Sequence, residues 1–250
     1  MNSLWLIAGS GVLAGMMNAL AGGGSFVTLP ALIAVGVPSV TANTTSTVAL
    51  FPGQIASAWT YRDGLGDIGS VSLRWLLVAT FLGGVIGALL LLRTPITAFD
   101  FILPWLMAIA TTALTFGRRL GESLRRRWRI GAPVVMAVQF GLGVYGGYFG
   151  GGVGIMMMAV WSLLSERTLK SFNAPRTLMV CAANTVAVFI FIAAHAVVWR
   201  EGLVMLVGAV IGGICGANIG RRAPAGVIRV GTLVLSIAIT LGFFARAYLN

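Results

Sequence analysis

Apolar runs dominate the chain. Ten can be drawn, at 4–21, 25–40, 43–61, 71–92, 99–116, 131–149, 153–165, 174–199, 203–220 and 226–247. Runs of about 20 apolar residues match the hydrocarbon thickness of a bilayer. In lipid they satisfy their backbone polar groups as helices. The pattern predicts an all-α, polytopic transmembrane helical bundle. The second and seventh runs differ from the rest. The second carries Pro30, Gly36 and Pro38, the seventh is short, and each follows a glycine triplet. Both are expected to be short or broken, which membrane depth tolerates only where protein or a water-filled cavity shelters the backbone.

The polar positions inside these runs are few and they repeat. Gly22, Gly23, Gly24 and Ser25 are followed by Asn43, Thr47 and Gln54. Gly150, Gly151 and Gly152 are followed by Asn173, Thr177 and Asn184, each polar residue 130 positions after its counterpart. Steps of four and then seven residues at about 100° each keep a trio within roughly 40° of one stripe. Buried amides and hydroxyls cost a few kcal/mol unless they find partners. Two matched stripes predict two halves facing one polar site. The same residue types also join membrane helices by hydrogen bonds alone.

Composition supports the membrane assignment. Of 250 residues 58% are hydrophobic and 9% charged, with a mean hydropathy of +0.96. A soluble domain carries about 25% charged residues. The net charge of +11 reads as topology rather than as a nucleic-acid surface, because the basic residues cluster between apolar runs. If all ten runs cross, one side receives Arg62, Arg74, Arg118, Arg119, Arg125, Arg126, Arg127, Arg129, Arg167, Lys170, Arg176, Arg221, Arg222 and Arg229. The other receives Arg93, Arg200 and Arg246. The basic-rich side is then cytoplasmic, with both termini outside. An eight-crossing variant, with runs two and seven re-entrant, moves Arg167, Lys170, Arg221 and Arg222 across. The first run lacks an early positive cluster and a cleavage site, so it is expected to be a retained helix.

The chain divides into a first repeat at 1–116, a basic cytoplasmic linker at 117–130 and a second repeat at 131–250. Five crossings per half make the repeats inverted. Two echoes support the duplication: Arg62-Asp63-Gly64-Leu65 with Arg200-Glu201-Gly202-Leu203, and the glycine-rich stretches at 83–88 and 208–213. Inverted repeats with interrupted segments at matching positions point to a secondary transporter.

The candidate chemistry is that of an anion site. A helix start preceded by glycines offers backbone N–H groups and a positive dipole end. All six acids, Asp63, Asp67, Asp100, Glu122, Glu166 and Glu201, fall in loops or at segment ends. Cation sites and proton relays in membranes normally use intramembrane acids. Arg176, beside Pro175 at the start of the eighth run, is the best basic candidate, and its planar fork suits an oxyanion. Close packing of the glycines and a headgroup anchor for Arg176 are the plain alternatives. His195, the only histidine, could relay a proton or be a plain interfacial residue, and Tyr145 and Tyr148 could line or gate the site or simply pack. Met156-Met157-Met158 covers every direction of a helix and reads as filling. Cys181 and Cys215 form no redox or metal pattern. No catalytic or nucleotide-binding motif occurs, so neither an enzyme, a cofactor, a metal site nor a nucleic-acid partner is expected.

Ala21-Gly22-Gly23-Gly24-Ser25-Phe26, Pro30-Ala31-Leu32 and Ala42-Asn43-Thr44-Thr45-Ser46 resemble the first half of the TauE/SafE membrane proteins, the sulfite exporter family. Gly146 to Gly152, followed by Asn173-Ala174-Pro175-Arg176, resembles their second half, from which it departs somewhat in having Ala174-Pro175-Arg176 where a less interrupted helix start is common. The resemblance implies a multi-pass permease of a bacterial inner membrane for a small sulfur-containing anion, such as sulfite or an organosulfonate. Its partners would be that anion and the lipid bilayer. A coupling ion, proton or sodium, and assembly as a homo-oligomer are both compatible with it. The expected mechanism is export by alternating access, with a passive anion channel or a membrane scaffold as the alternatives.

Overall fold

The computed structural model describes residues 2–20, 23–68, 71–127, 131–161, 169–220 and 225–248. Among them are ten α-helices: α1 (Asn2–Leu20), α2 (Ser25–Ala34), α3 (Ser39–Thr60), α4 (Leu73–Arg93), α5 (Ile96–Arg127), α6 (Ala132–Tyr148), α7 (Val153–Trp161), α8 (Asn173–Ala193), α9 (Trp199–Gly220) and α10 (Ala225–Tyr248). Short 3-10 turns occupy Arg62–Gly64 and Leu169–Phe172. Five helices are long and apolar enough to cross a membrane by length and composition: those at Leu73–Arg93, Ile96–Gly117, Asn173–Ala193, Trp199–Gly216 and Val230–Tyr248. The molecule is a polytopic helical membrane protein.

α2 and α7 are the short elements. Ten and nine residues rise only about 15 and 14 Å, half the hydrocarbon thickness. Two expected boundaries move. α8 stops at Ala193, because His195 takes a left-handed φ of 53° and the His195 and Ala196 amides fold back on Ile192 and Phe191. Such a turn closes a helix, so His195 lies in the connection to α9. α5 continues to Arg127, so most of the basic stretch at 117–130 is the end of a helix and not a loop. Residues 128–130 and 162–168, with Arg129, Glu166 and Arg167, lie outside the described residues, as do Gly22, Arg221 and Arg222. The side chains of Arg118, Arg119, Glu122, Arg125, Arg126, Arg127, Lys170 and Arg229 do too.

Helix directions follow from successive contacts. A Cβ on Gly11 would strike the Met205 carbonyl and one on Gly15 that of Ala209. Both partners advance together, so α1 and α9 run parallel. Gly83 and Gly87 meet Phe140 and Val144 in the same way, so α4 and α6 are parallel. Thr80 Oγ1 lies 3.4 Å from Met179 Sδ, and a Cβ on Gly84 would lie 3.0 Å from the Ala183 carbonyl, so α4 and α8 are parallel too. α3 and α8 are antiparallel: Thr44 bonds the Ala196 carbonyl, Gln54 meets Asn184, and Gly64 approaches Ala174. Thr28 bonds Ser46 from nearly equal distances either side of the Val35–Pro38 turn, so α2 and α3 form a hairpin. Alternation through all ten helices satisfies every one of these relations. Treating α2 and α7 as re-entrant would make α4 and α8 antiparallel, against the observed contacts.

The packing repeats itself. α1 packs on α9 and α6 on α4; α4 on α8 and α9 on α3; α1 on α2 and α6 on α7; α2 on α3 and α7 on α8. Shifting every helix by five positions maps this set onto itself. The halves are interlocked, because the first helix of each packs along the fourth of the other. Glycines make that possible: a Cβ on Gly212 would fall on the Val12 carbonyl, and one on Gly147 on that of Gly84. The glycine-rich stretches at 83–88 and 208–213 are therefore equivalent. The other expected echo is not: Arg62–Gly64 forms a turn ahead of α4, whereas Arg200–Gly202 lies in the first turn of α9.

Odd-numbered helices run from the face bearing the described ends of α1 and α10, the termini face, to the face where α5 ends, the linker face. Arg62, Arg74 and Arg176 lie at the linker face, and Arg93, Arg200 and Arg246 at the termini face.

Candidate functional site

α3 and α8 cross at the centre of the bundle. From Ala42 to Thr47 every residue of α3 is buried, an arrangement the polar residues there survive only because almost every one has a partner. Thr44 and Thr45 tie the connection before α9 through the Ala196 carbonyl and the Val198 amide. Asn43 Nδ2 donates to the Tyr148 carbonyl at 2.9 Å. Asn184 Nδ2 donates to Gln54 Oε1 at 2.6 Å. These two residues stand 130 positions apart and are each other's repeat counterparts. Thr111 on α5 and Thr240 on α10 pair likewise, 3.1 Å apart and 129 positions removed. Bonds between equivalent positions mark the pseudo-two-fold axis that exchanges the halves.

The two stripes therefore meet only at Gln54 and Asn184. Because α3 and α8 are antiparallel, Asn43 and Thr47 extend toward the termini face, and Asn173, Arg176 and Thr177 toward the linker face. Thr47 donates back to the Asn43 carbonyl at 2.9 Å and Thr177 to the Asn173 carbonyl at 3.0 Å. Both hydroxyls have thus spent their proton within their own helix.

The glycine breaks differ between halves. In the first, the Gly24 amide donates to Asn18 Oδ1 at 2.9 Å, and a Cβ on Gly24 would lie 2.7 Å from the Ala14 carbonyl. That amide is occupied, and Gly24 is required for contact with α1. Gly23 is buried and Ser25 half-buried at the start of α2. In the second, Gly150 and Gly152 adopt φ of 77° and 74°, a left-handed backbone that glycine alone adopts without strain. The Tyr145 hydroxyl sits 3.0 Å from the carbonyls of both Leu106 and Gly151, fastening the break to α5.

A Cβ on Gly150 would lie 3.7 Å from Asn184 Oδ1, so the break passes the axis pair. Asn184 Oδ1 is buried without a partner. An amide can turn either end toward such a gap. Four residues on, a Cβ on Gly154 would lie 3.1 Å from Arg176 Cγ and 3.2 Å from Cδ. The first amides of a helix lack intrahelical acceptors and carry positive dipole charge. Arg176, half-buried, lays its stem across that end of α7, and among the described residues no carboxylate lies within ion-pair distance of it. Arg176, the α7 N-terminus and the Gln54–Asn184 pair thus follow one another from the linker face to the axis.

Sequence reasoning missed two buried networks. Trp161 Nε1 donates to Gln139 Oε1 at 3.0 Å, Gln139 Nε2 to Thr80 Oγ1 at 2.7 Å, and Thr80 Oγ1 to the Leu76 carbonyl at 2.7 Å. A lone glutamine in an apolar run was the available signal. The second is the Thr28–Ser46 hydroxyl pair, which takes the place in the first half that Arg176 takes in the second, 130 residues after Ser46.

Residues 7–243 match the model of the family described as "Sulfite exporter TauE/SafE". The chain is similar to a probable membrane transporter protein of Haemophilus influenzae, 28% identical over 239 residues that cover 92% of this chain and 90% of that one. It is also similar to the probable membrane transporter protein YfcA of Escherichia coli K12, 29% identical over 209 residues, covering 83% and 77% respectively. A probable membrane transporter protein of a Sinorhizobium species is 28% identical over 238 residues, covering 93% and 89%. No solved structure matches the chain.

Proposed function

The chain belongs to the sulfite exporter TauE/SafE family, and we propose that it is a multi-pass inner-membrane secondary transporter that exports a small sulfur-containing anion, sulfite or an organosulfonate, by alternating access. The anion would enter from the linker face, which the positive-inside bias makes cytoplasmic. Arg176 would attract it, the amides of Gly151, Gly152, Val153 and Gly154 would hold its oxygens, since those of Ile155 and Met156 already donate to the Gly152 carbonyl, and Gln54 and Asn184 would receive it at the axis. Gly23 and Ser25 would offer the matching surface of the other half, and Asn173 and Thr177 the wall of the entry path. The observation that carries this reading is Arg176 lying across Gly154 at the N-terminal end of a half-length helix, with no carboxylate within ion-pair distance among the described residues. A guanidinium carried on a stem that lies against a helix start would give an oxyanion two complementary partners.

The test is a thermal-stability screen of the purified protein against sulfite, sulfate, thiosulfate and short sulfonates. At least one anion is expected to raise the unfolding temperature of the wild type and to lose that effect in Arg176→Gln. No shift with any of them would overturn the carrier reading in favour of a scaffold whose stripes only join helices.

A further inference from the structure

The termini-facing end of α3 holds two oxygens that the anion track does not use. Asn43 is 1% exposed and Ser39 4%, yet neither Asn43 Oδ1 nor Ser39 Oγ has a hydrogen-bond partner. Buried polar atoms without partners are rare, and each requires an explanation. The orientation of Asn43 is fixed by chemistry. Its Nδ2 meets the Tyr148 carbonyl, which can only accept, so the end left over is an acceptor. Ser39 and Asn43 lie one turn apart on the same face of α3. Tyr148 ends α6, whose last carbonyls carry negative dipole charge ahead of the unwound glycines. That charge offsets the positive start of α3. What gathers here is oxygen without a donor; the one other unpartnered oxygen at this face among the described residues, Oε2 of Glu201, belongs to the first turn of α9, which meets α3 at Thr45 rather than at Asn43.

We infer that Asn43 Oδ1 and Ser39 Oγ mark a monovalent-cation site of the sodium class, completed by backbone oxygens at the end of α6. Neutral side-chain and carbonyl oxygens at a broken helix suit such an ion, whereas a divalent ion in oxygen ligands calls for carboxylates. The site is single, because position 169, the counterpart of Ser39, is leucine. It lies on the opposite side of the axis from Arg176, so cation and anion would occupy separate places in one molecule.

Purified protein without any sulfur anion is heated in choline chloride, potassium chloride or sodium chloride at constant ionic strength. Sodium at about ten times its dissociation constant is expected to raise the unfolding temperature by about 3–6 °C over choline. Ser39→Ala loses no hydrogen bond and is expected to unfold as the wild type does in choline, while needing at least about tenfold more sodium for the same shift. Identical unfolding of the wild type in sodium and choline overturns the site, as a buried water in place of the ion would produce. So does an unchanged sodium response in Ser39→Ala. Because sulfite is absent throughout, failure here leaves the anion reading standing, and the anion screen can fail without touching this result.

Discussion

Substituting Asn184 removes the donor that meets Gln54 Oε1 on the pseudo-two-fold axis, and substituting Gln54 removes the acceptor. Each single change leaves the other amide, buried for Asn184 and half-buried for Gln54, with less to bond. A double-mutant cycle of Gln54→Leu and Asn184→Leu, read by equilibrium unfolding in mixed detergent, is expected to give a coupling of about 0.5–2 kcal/mol, the range for interhelical bonds in membranes. Additive effects would mean that the pair is not joined. At this scale the chain was legible as to which residues matter and illegible as to how they meet. Spacing placed Asn43, Thr47 and Gln54 on one stripe and Asn173, Thr177 and Asn184 on another. Spacing cannot say that antiparallel crossing brings only the inner members together, or that Asn43 spends its amide on Tyr148. Those partners lie 130 and 105 residues away, on elements whose directions only the fold decides.

Between helices the decisive feature is glycine in contact with backbone. Gly212→Val would drive a side chain into the Val12 carbonyl, and a main-chain oxygen held in a helix cannot yield as a flexible side chain does. A loss of about 3 kcal/mol or more in unfolding free energy is expected. Gly141→Ala is the contrasting change, since nothing lies within 4 Å of an added Cβ there. It is expected to be neutral or stabilising by up to about 1 kcal/mol, and equal losses for the two substitutions would contradict the packing. Hydropathy revealed all ten helices, because an apolar run in lipid has few other options. It placed ends less well. The run 174–199 hid the turn at His195, since Ala193 to Trp199 stays mostly apolar. The arginines after Gly117 suggested a loop, although arginine is a good helix former.

For the whole molecule, alternation of ten helices puts Asp63 and Glu201 at opposite faces. In a cysteine-free background, Asp63→Cys is expected to react with a membrane-impermeant thiol reagent only from the cytoplasmic side, and Arg200→Cys only from the other. Labelling of both from one side would remove the inverted arrangement. That arrangement was foreseeable from odd numbers of runs and from the charge bias. The interlocking of the halves was not, because a repeat boundary in sequence says nothing about which helix packs on which. Helices at matching positions in an interlocked pair can exchange environments, which is what alternating access requires.

The central claim is that Arg176 and the N-terminal end of α7 recognise an oxyanion on its way through the bundle. Uptake of labelled sulfite into anion-loaded proteoliposomes tests it most directly, with wild type and Arg176→Gln compared at matched amounts of folded protein. Saturable uptake by the wild type, reduced about 10- to 100-fold in Arg176→Gln, is expected from the loss of a charge-assisted bond. Uptake by Arg176→Gln equal to that of the wild type would contradict it.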